Sequence, residues 1–356
     1  MIRRTVLALA GLMMATSAPV FAQAADLKVG FVYVGPVGDF GWSYQHDQGR
    51  QAIEAEFGDR VETTYVESVP EGPDAERVIR QLAASGHGLI FTTSFGYMDP
   101  TLKIAKMFPN VRFEHATGYK QAPNVATYSA RFYEGRHVIG TIAGLMTKTN
   151  KIGYIASVPI PEVVRGINAA TLAARAINPD IITQVIWVNS WYDPGKEADA
   201  AKALMSNGAD VIMQHTDSPA ALQAAENAGV LAFGQASNMI QFAPNAQLTA
   251  IEDNWAPYYV ERTRAVLDGS WESGDSWKGI AAGEVKMSEY TNMPDDVKAA
   301  AEKAAADVAS GAVHPFTGPI KDRDGAERIA AGAVADDGMM LGMDWFVEGV
   351  EGDLPK

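Results

Sequence analysis

The strongest constraint on the fold is a plan that the chain states twice. Lys28-Val29-Gly30-Phe31-Val32 reads as a buried strand leading into a glycine turn at Gly35, and Lys151-Ile152-Gly153-Tyr154-Ile155 repeats it 123 positions later. Pro73-Asp74 through Leu82, Gly86, Leu89 and Ile90 finds its counterpart in Gly195-Lys196 through Leu204, Gly208, Val211 and Ile212, at an offset of 122. Offsets that agree over such a distance point to two lobes of one topology.

Within the first half, short apolar runs alternate with helical stretches. Ala52, Ile53 and Phe57 form an apolar stripe that places a helix over 42–57. A second helix over 74–84 is stopped by Gly86, and strands at 89–93 and 111–113 flank a third helix over 99–107. This alternation is the mark of parallel βαβ units, so the fold class is α/β with two doubly wound parallel-sheet lobes. Past Asn238 the pattern is less regular, with helices over 255–267 and 297–310. No Pro- or Ser-rich run separates the halves, which favours short crossing segments and a hinge. The lobes are expected at 26–130 plus about 240–280 and at 131–239 plus about 281–320, with 321–356 unassigned.

Composition narrows the chemistry. The 356 residues include no cysteine, which excludes disulfides, a thiolate zinc site, a cysteine nucleophile and a lipid anchor on an N-terminal cysteine. A net charge of −14 argues against nucleic acid, whose phosphates call for basic patches. Arg3 and Arg4, an apolar run from Val6 to Met14, Pro19 and the small residues Ala22, Ala24 and Ala25 have the layout of a secretory signal peptide over 1–24. The run is shorter than the roughly 20 residues that a bilayer span needs. Cleavage after Ala22 or Ala24 removes two arginines and leaves −16. The expected location is the periplasm, with no direct membrane anchor.

Ligands of open parallel sheets gather at the carboxyl ends of the strands. There the sequence places Gly35 to Ser43, Thr92 to Tyr97, Asn189 to Asp193, Gln214 to Ser218, and Gly234 to Ser237. Aromatic rings and hydrogen-bonding groups recur in these segments, which suits a flat polar ligand that stacks. Gly35 to Gly41 is neither a Walker loop nor a dinucleotide fingerprint, and reads equally as a simple turn. Trp42 and Trp191 fit either a cleft or the core at a lobe edge. His215 and Asp217 could suggest a metal pair, but six histidines with no HxxxH spacing argue against one. Ser218 precedes a proline at a helix start, the place of a cap, and no Gly-x-Ser-x-Gly elbow is present. An enzyme could draw carboxylates from Asp39 and Asp217, yet no phosphate loop or metal cluster accompanies them. Reversible ligand capture by hinge closure suits these features better than catalysis.

Several motifs, in order, carry a family resemblance. They are Asp39 followed by Trp42-Ser43, Asn124-Val125-Ala126-Thr127-Tyr128 with Glu134-Gly135, Lys151-Ile152-Gly153, Asn178-Pro179-Asp180, Gly208-Ala209-Asp210-Val211-Ile212, Thr317-Gly318-Pro319-Ile320 and Met343-Asp344-Trp345-Phe346. From Lys28 to the C-terminus the chain resembles the basic membrane protein family, the purine-nucleoside-binding receptors of ABC transporters. The resemblance implies a type I periplasmic-binding-protein fold, an interlobe ligand cleft, a small-molecule purine ligand and an ABC permease partner in the inner membrane, with no cofactor and no metal. It implies a purine clamped between one ring from each lobe, at Trp42 and Trp191, with polar contacts at Asp39 and Ser43. Phe95, Gly96 and Tyr97 match the first lobe's cleft loop, and Gly234 the start of the family's Gly-Val-Asp-Ser-Asp segment.

The departures bear on the ligand. The family's ribose-binding aspartate is replaced by Ala236, beside Gln235, and its lysine in the next segment falls near Asp253. Both stacking rings are tryptophans, and the lipid-bearing cysteine is missing. Without a ribose acceptor, and with Glu252 or Asp253 free to accept from a base's N–H groups, a free base, adenine first, is expected over a nucleoside. Asp217 completes the expected contacts. A nucleoside, a sugar stacked on tryptophan, and a sensor that reports ligand to a membrane partner stay open as alternatives.

Overall fold

The computed structural model describes residues 25–38 and 40–355. The segment 1–24, read as an export signal, and Asp39, read as a ligand contact, therefore lie outside the described residues.

The first lobe is laid down as β1 (Leu27–Val32), α1 (Gly41–Phe57), β2 (Val61–Val66), α2 (Pro73–Ala84), β3 (Leu89–Thr92), α3 (Met98–Ala105), β4 (Arg112–Ala116) and β5 (Val125–Ala130). The chain then crosses into α4 (Phe132–Met146), β6 (Lys151–Ala156), α5 (Pro161–Ile177), β7 (Ile182–Trp187), α6 (Pro194–Ser206), β8 (Val211–His215), α7 (Ala220–Ala228), β9 (Leu231–Gly234) and β10 (Gln247–Asp253). It returns for α8 (Ala256–Asp268) and β11 (Asp275–Lys278), then crosses again to β12 (Val285–Met287) and α9 (Asp295–Ala309). A tail of β13 (Ile320–Lys321), β14 (Glu327–Ile329), α10 (Asp337–Leu341) and β15 (Val350–Glu351) follows. One six-stranded sheet runs β11-β5-β4-β3-β1-β2 and a seven-stranded sheet runs β12-β10-β9-β8-β6-β7-β15. Apart from β12, which is antiparallel to β10, both are parallel throughout.

The duplicated motif has a packing cause. A Cβ on Gly30 would lie 3.1 Å from Leu82, and one on Gly153 would lie 2.9 Å from Leu204. In each lobe the glycine of the central strand admits the leucine of the second helix, so helix and sheet meet closely. The two pairs recur at nearly one offset because they are one packing solution used twice.

The lobe bounds differ from the expectation in one place. The segment 247–253 was assigned to the first lobe, but β10 hydrogen-bonds to β9 and β12 in the second sheet. Its apolar residues Leu248, Ala250 and Ile251 are buried there. The return begins only at α8, whose Tyr258 and Tyr259 pack on Tyr128 in the first lobe. The unassigned tail closes on the second lobe, where β15 pairs with β7. Three crossings thus lie side by side, tied by Ile280 N donating to Glu134 Oε2 at 2.7 Å and Asn254 N donating to the Glu284 carbonyl at 2.7 Å.

Candidate functional site

The lobes are closed on each other. Gly41 N, at the start of α1, donates to Ser237 Oγ of the second lobe at 2.7 Å. Gly41 has φ +77°, and a Cβ there would fall 2.3 Å from the Asp217 carbonyl oxygen, so only glycine admits this approach. Phe40 reaches across to Phe242, edge-on at 5.4 Å. Trp191 Nε1 donates to Glu71 Oε1 at 3.2 Å, and Glu71 in turn holds Gly96 N at 2.9 Å and Ser94 Oγ at 2.5 Å.

Between the lobes lies a narrow cavity that opens to solvent. Val34, Trp42, Ser94, Phe95 and Thr117 line it from the first lobe, and Glu162, Trp191, His215, Asp217 and Gln235 from the second. Trp42 is fixed by donating from Nε1 to the Thr93 carbonyl at 2.6 Å and by edge contacts with His46 and Trp255. The Asp217 carboxyl is pushed well above the usual range by burial and by Glu197 and Glu162 nearby. Glu162 is raised by burial against the pull of Arg165 and Arg136. Burial, then Arg136 and Arg165, holds His215 well below the usual imidazole range, so it is neutral at pH 7 and its 3.9 Å approach to Glu162 is no ion pair there. Gln235 Oε1 accepts a short hydrogen bond from Arg136 Nη2.

Of the residues expected at the ligand, the fold brings Trp42, Phe95, Trp191, Asp217 and Gln235 to one cavity. Others serve the walls instead. Ser43 Oγ accepts from Gly35 N at 3.0 Å and fixes that turn. Gly96 is bound by Glu71. Tyr97 turns into the first lobe's core, fully buried, and donates to the Val69 carbonyl at 2.5 Å. Gly234 leaves room for Ala250, which would be 2.6 Å from its Cβ. Glu252 accepts from Ser288 on β12's side of the sheet. Asp253 is fully buried just behind the cavity wall, both carboxylate oxygens without a partner, and its carboxyl is pushed well up by burial, Glu162, Glu284 and Asp217. Ala236, where a ribose acceptor was expected to be lost, is buried in a left-handed turn with φ +58°.

Glu162 was missed, though its signal was present. The strand at Lys151 is the counterpart of that at Lys28, so its carboxyl end should also face the cleft; Glu162 opens the helix that follows it. Arg136 rises from α4 and leaves no such trace. Among the described residues, no group of three or more metal-ligating side chains comes together. No described helix is long and apolar enough to cross a membrane.

Residues 26–313 match the family described as ABC transporter substrate-binding protein PnrA-like. A purine-binding protein of Brucella abortus is 60% identical over 330 residues, covering 93% of this chain and 94% of its own. A putative ABC transporter glucose-binding protein of Haloferax volcanii is 38% identical over 336 residues, covering 94% of this chain and 83% of its own. The fold is shared with an ABC transporter solute-binding protein of Aeropyrum pernix, with a TM-score of 0.70 at 18% identity over 83% of this chain and 93% of that one. The chain belongs to the PnrA-like family of ABC transporter substrate-binding proteins, which are transport receptors.

Proposed function

We propose that this receptor carries a purine base, adenine before adenosine, to an ABC permease. The observation that carries the reading is a single cavity with an indole from each lobe and with Asp217, Glu162, His215 and Gln235 along its second-lobe side. Two indoles suit a flat heterocycle, since stacking contributes roughly 1–3 kcal/mol per ring. The acids suit its N–H groups, and Ala236 offers a ribose no acceptor. The purine-binding relative from Brucella abortus supports the ligand class. Substrate-binding proteins of this family work outside the cytoplasm, and the reading includes release into the periplasm without a lipid anchor. A sugar is the second reading, favoured by the glucose-binding relative from Haloferax volcanii.

Calorimetry on ligand-stripped protein tests both. Adenine is expected to bind more tightly than guanine, hypoxanthine, adenosine or guanosine, with glucose inert. Tighter binding of adenosine overturns the base reading, and binding of glucose alone replaces it with the sugar.

A further inference from the structure

We infer that Arg136 is a positioning residue that makes Gln235 a fixed hydrogen-bond donor to the ligand, and that this pair sets which purine edge the cleft accepts. The inference rests on the purine reading. An arginine side chain has donors only, so the oxygen of the Gln235 amide must face Arg136. The amide nitrogen is thereby turned away from the guanidinium, and no described protein group accepts from it. Gln235 itself lines the cavity.

Arg136 is held so that this orientation persists. It is fully buried, with its Cζ 4.9 Å from the centre of the Phe132 ring and 5.3 Å from that of Tyr154. Gly166 of α5 packs beside Arg136, where a Cβ would meet the Tyr154 hydroxyl at 3.2 Å. Arg136 Nε has no partner, so the bond to Gln235 is the contact that the buried guanidinium makes with its N–H groups among the described residues. Burying a guanidinium costs free energy, and a methionine would fill the same space. What the guanidinium adds is direction. A free glutamine can present either its oxygen or its nitrogen, whereas this one presents N–H alone. Beside it Asp217 and Glu162 offer carboxyl oxygens. The carboxyls of Asp217 and Glu162, both raised, and the neutral imidazole of His215 can each donate or accept, whereas the Gln235 amide is fixed as a donor by Arg136, which fits a purine edge that presents an unprotonated ring nitrogen to it.

Deaza analogues read this atom by atom, because each replaces one ring-nitrogen acceptor by C–H. Ligand-stripped wild type is titrated with adenine and with 1-deaza-, 3-deaza- and 7-deazaadenine. One analogue is expected to bind about tenfold more weakly than adenine, the worth of one hydrogen bond. In Gln235→Glu, which keeps a partner for Arg136 but removes the donor, that analogue and adenine are expected to bind alike. Arg136→Met should lose the same discrimination, and Arg136→Lys should recover part of it, with melting curves recorded for each. Should Arg136→Met fail to fold, Gln235→Glu still decides. Equal binding of all three analogues by wild type, or discrimination that survives Gln235→Glu, overturns the inference while leaving the purine reading intact. Failure of wild type to bind adenine overturns the adenine reading, and this inference with it, whereas failure to bind any of the purines overturns the purine reading itself.

Discussion

The first lobe meets the cleft with Val34, Trp42, Ser94, Phe95 and Thr117, the second with Glu162, Trp191, His215, Asp217 and Gln235. Several polar groups at the first wall are already spent, although His46 Nε2 and Trp255 Nε1, whose rings pack on Trp42, are buried without a partner. Trp42 Nε1 donates to the Thr93 carbonyl, Thr93 Oγ1 to the Val32 carbonyl at 2.9 Å, and Ser94 Oγ to Glu71. The second wall keeps unmet capacity in and just behind it. Both oxygens of Asp253, Nδ1 of His215, Oε1 of Gln214 and Oγ of Ser157 are buried without a partner. Unpaired buried polar groups cost free energy in the empty protein, and a ligand that pairs with those it reaches returns that cost. Each wall thus carries an indole, and the second alone adds carboxyl, imidazole and amide groups able to select a ligand, although the two lobes share one topology.

Separating the walls should have the largest effect. Gly41→Ala places a Cβ where the Asp217 carbonyl oxygen lies, at a φ that disfavours alanine. The lobes cannot close, the ligand touches one wall at a time, and affinity is expected to fall by about 100-fold or more. Calorimetry gives the loss, and small-angle scattering should show a larger radius of gyration with ligand than wild type has. Wild-type affinity in this variant would mean that closure contributes nothing to binding.

Next come the walls themselves. Trp42→Ala should weaken every stacking ligand by a similar factor, about 10- to 100-fold, because stacking does not distinguish one base from another. Trp191→Ala should do the same from the other side. Asp217→Ala should weaken binding by a comparable amount and also change the order of preference among adenine, hypoxanthine and guanine. A reordering caused by Trp42→Ala, or its absence in Asp217→Ala, would break the assignment of selection to the polar groups of the second wall.

What could be read from the chain follows from where each residue sits. Helix and strand positions were legible because the apolar periods, the glycine stops and the Gly30–Leu82 and Gly153–Leu204 pairs are local or repeated. Trp42 and Trp191 were legible as cavity-lining residues because strand ends of a parallel sheet converge. Most of the second wall was legible in the same way, as Trp191, His215, Asp217 and Gln235. Glu162, in the first turn of α5 just past the end of β6, was passed over although its strand end pointed to it, whereas Arg136 comes from the middle of α4 and carries no mark at a strand end. Tyr97 shows the converse failure: a strand-end position whose ring turns into the core because the Val69 carbonyl lies there to accept its hydroxyl. The placement of β10 was misjudged because a seven-residue apolar strand reads alike in either sheet, and only its neighbours β9 and β12 decide.

The smallest expected effect extends the comparison to pH. Glu284, in the crossing that leads into β12, has both carboxylate oxygens buried without a partner. Burial raises its carboxyl from 4.5 to about 7, with Lys278 opposing and Glu261 adding. Between those values the folded chain holds a proton that the unfolded chain has released. The stability from this group is therefore full below about pH 4.5 and is lost as pH rises through about 7. His115 of the first lobe behaves oppositely, since burial lowers it from 6.5 to about 4, and its contribution is present above pH 6.5 and lost as pH falls toward 4. Opposed slopes of this kind partly cancel in the whole protein, so the difference between variant and wild type is what reports each group. Glu284→Gln, which needs no proton, is expected to melt several degrees higher than wild type at pH 8, with the difference shrinking as pH falls and vanishing near pH 4.5. A difference that stays constant from pH 5 to 8 would show that the Glu284 carboxyl is ionised throughout, in contact with water rather than sealed in the hinge.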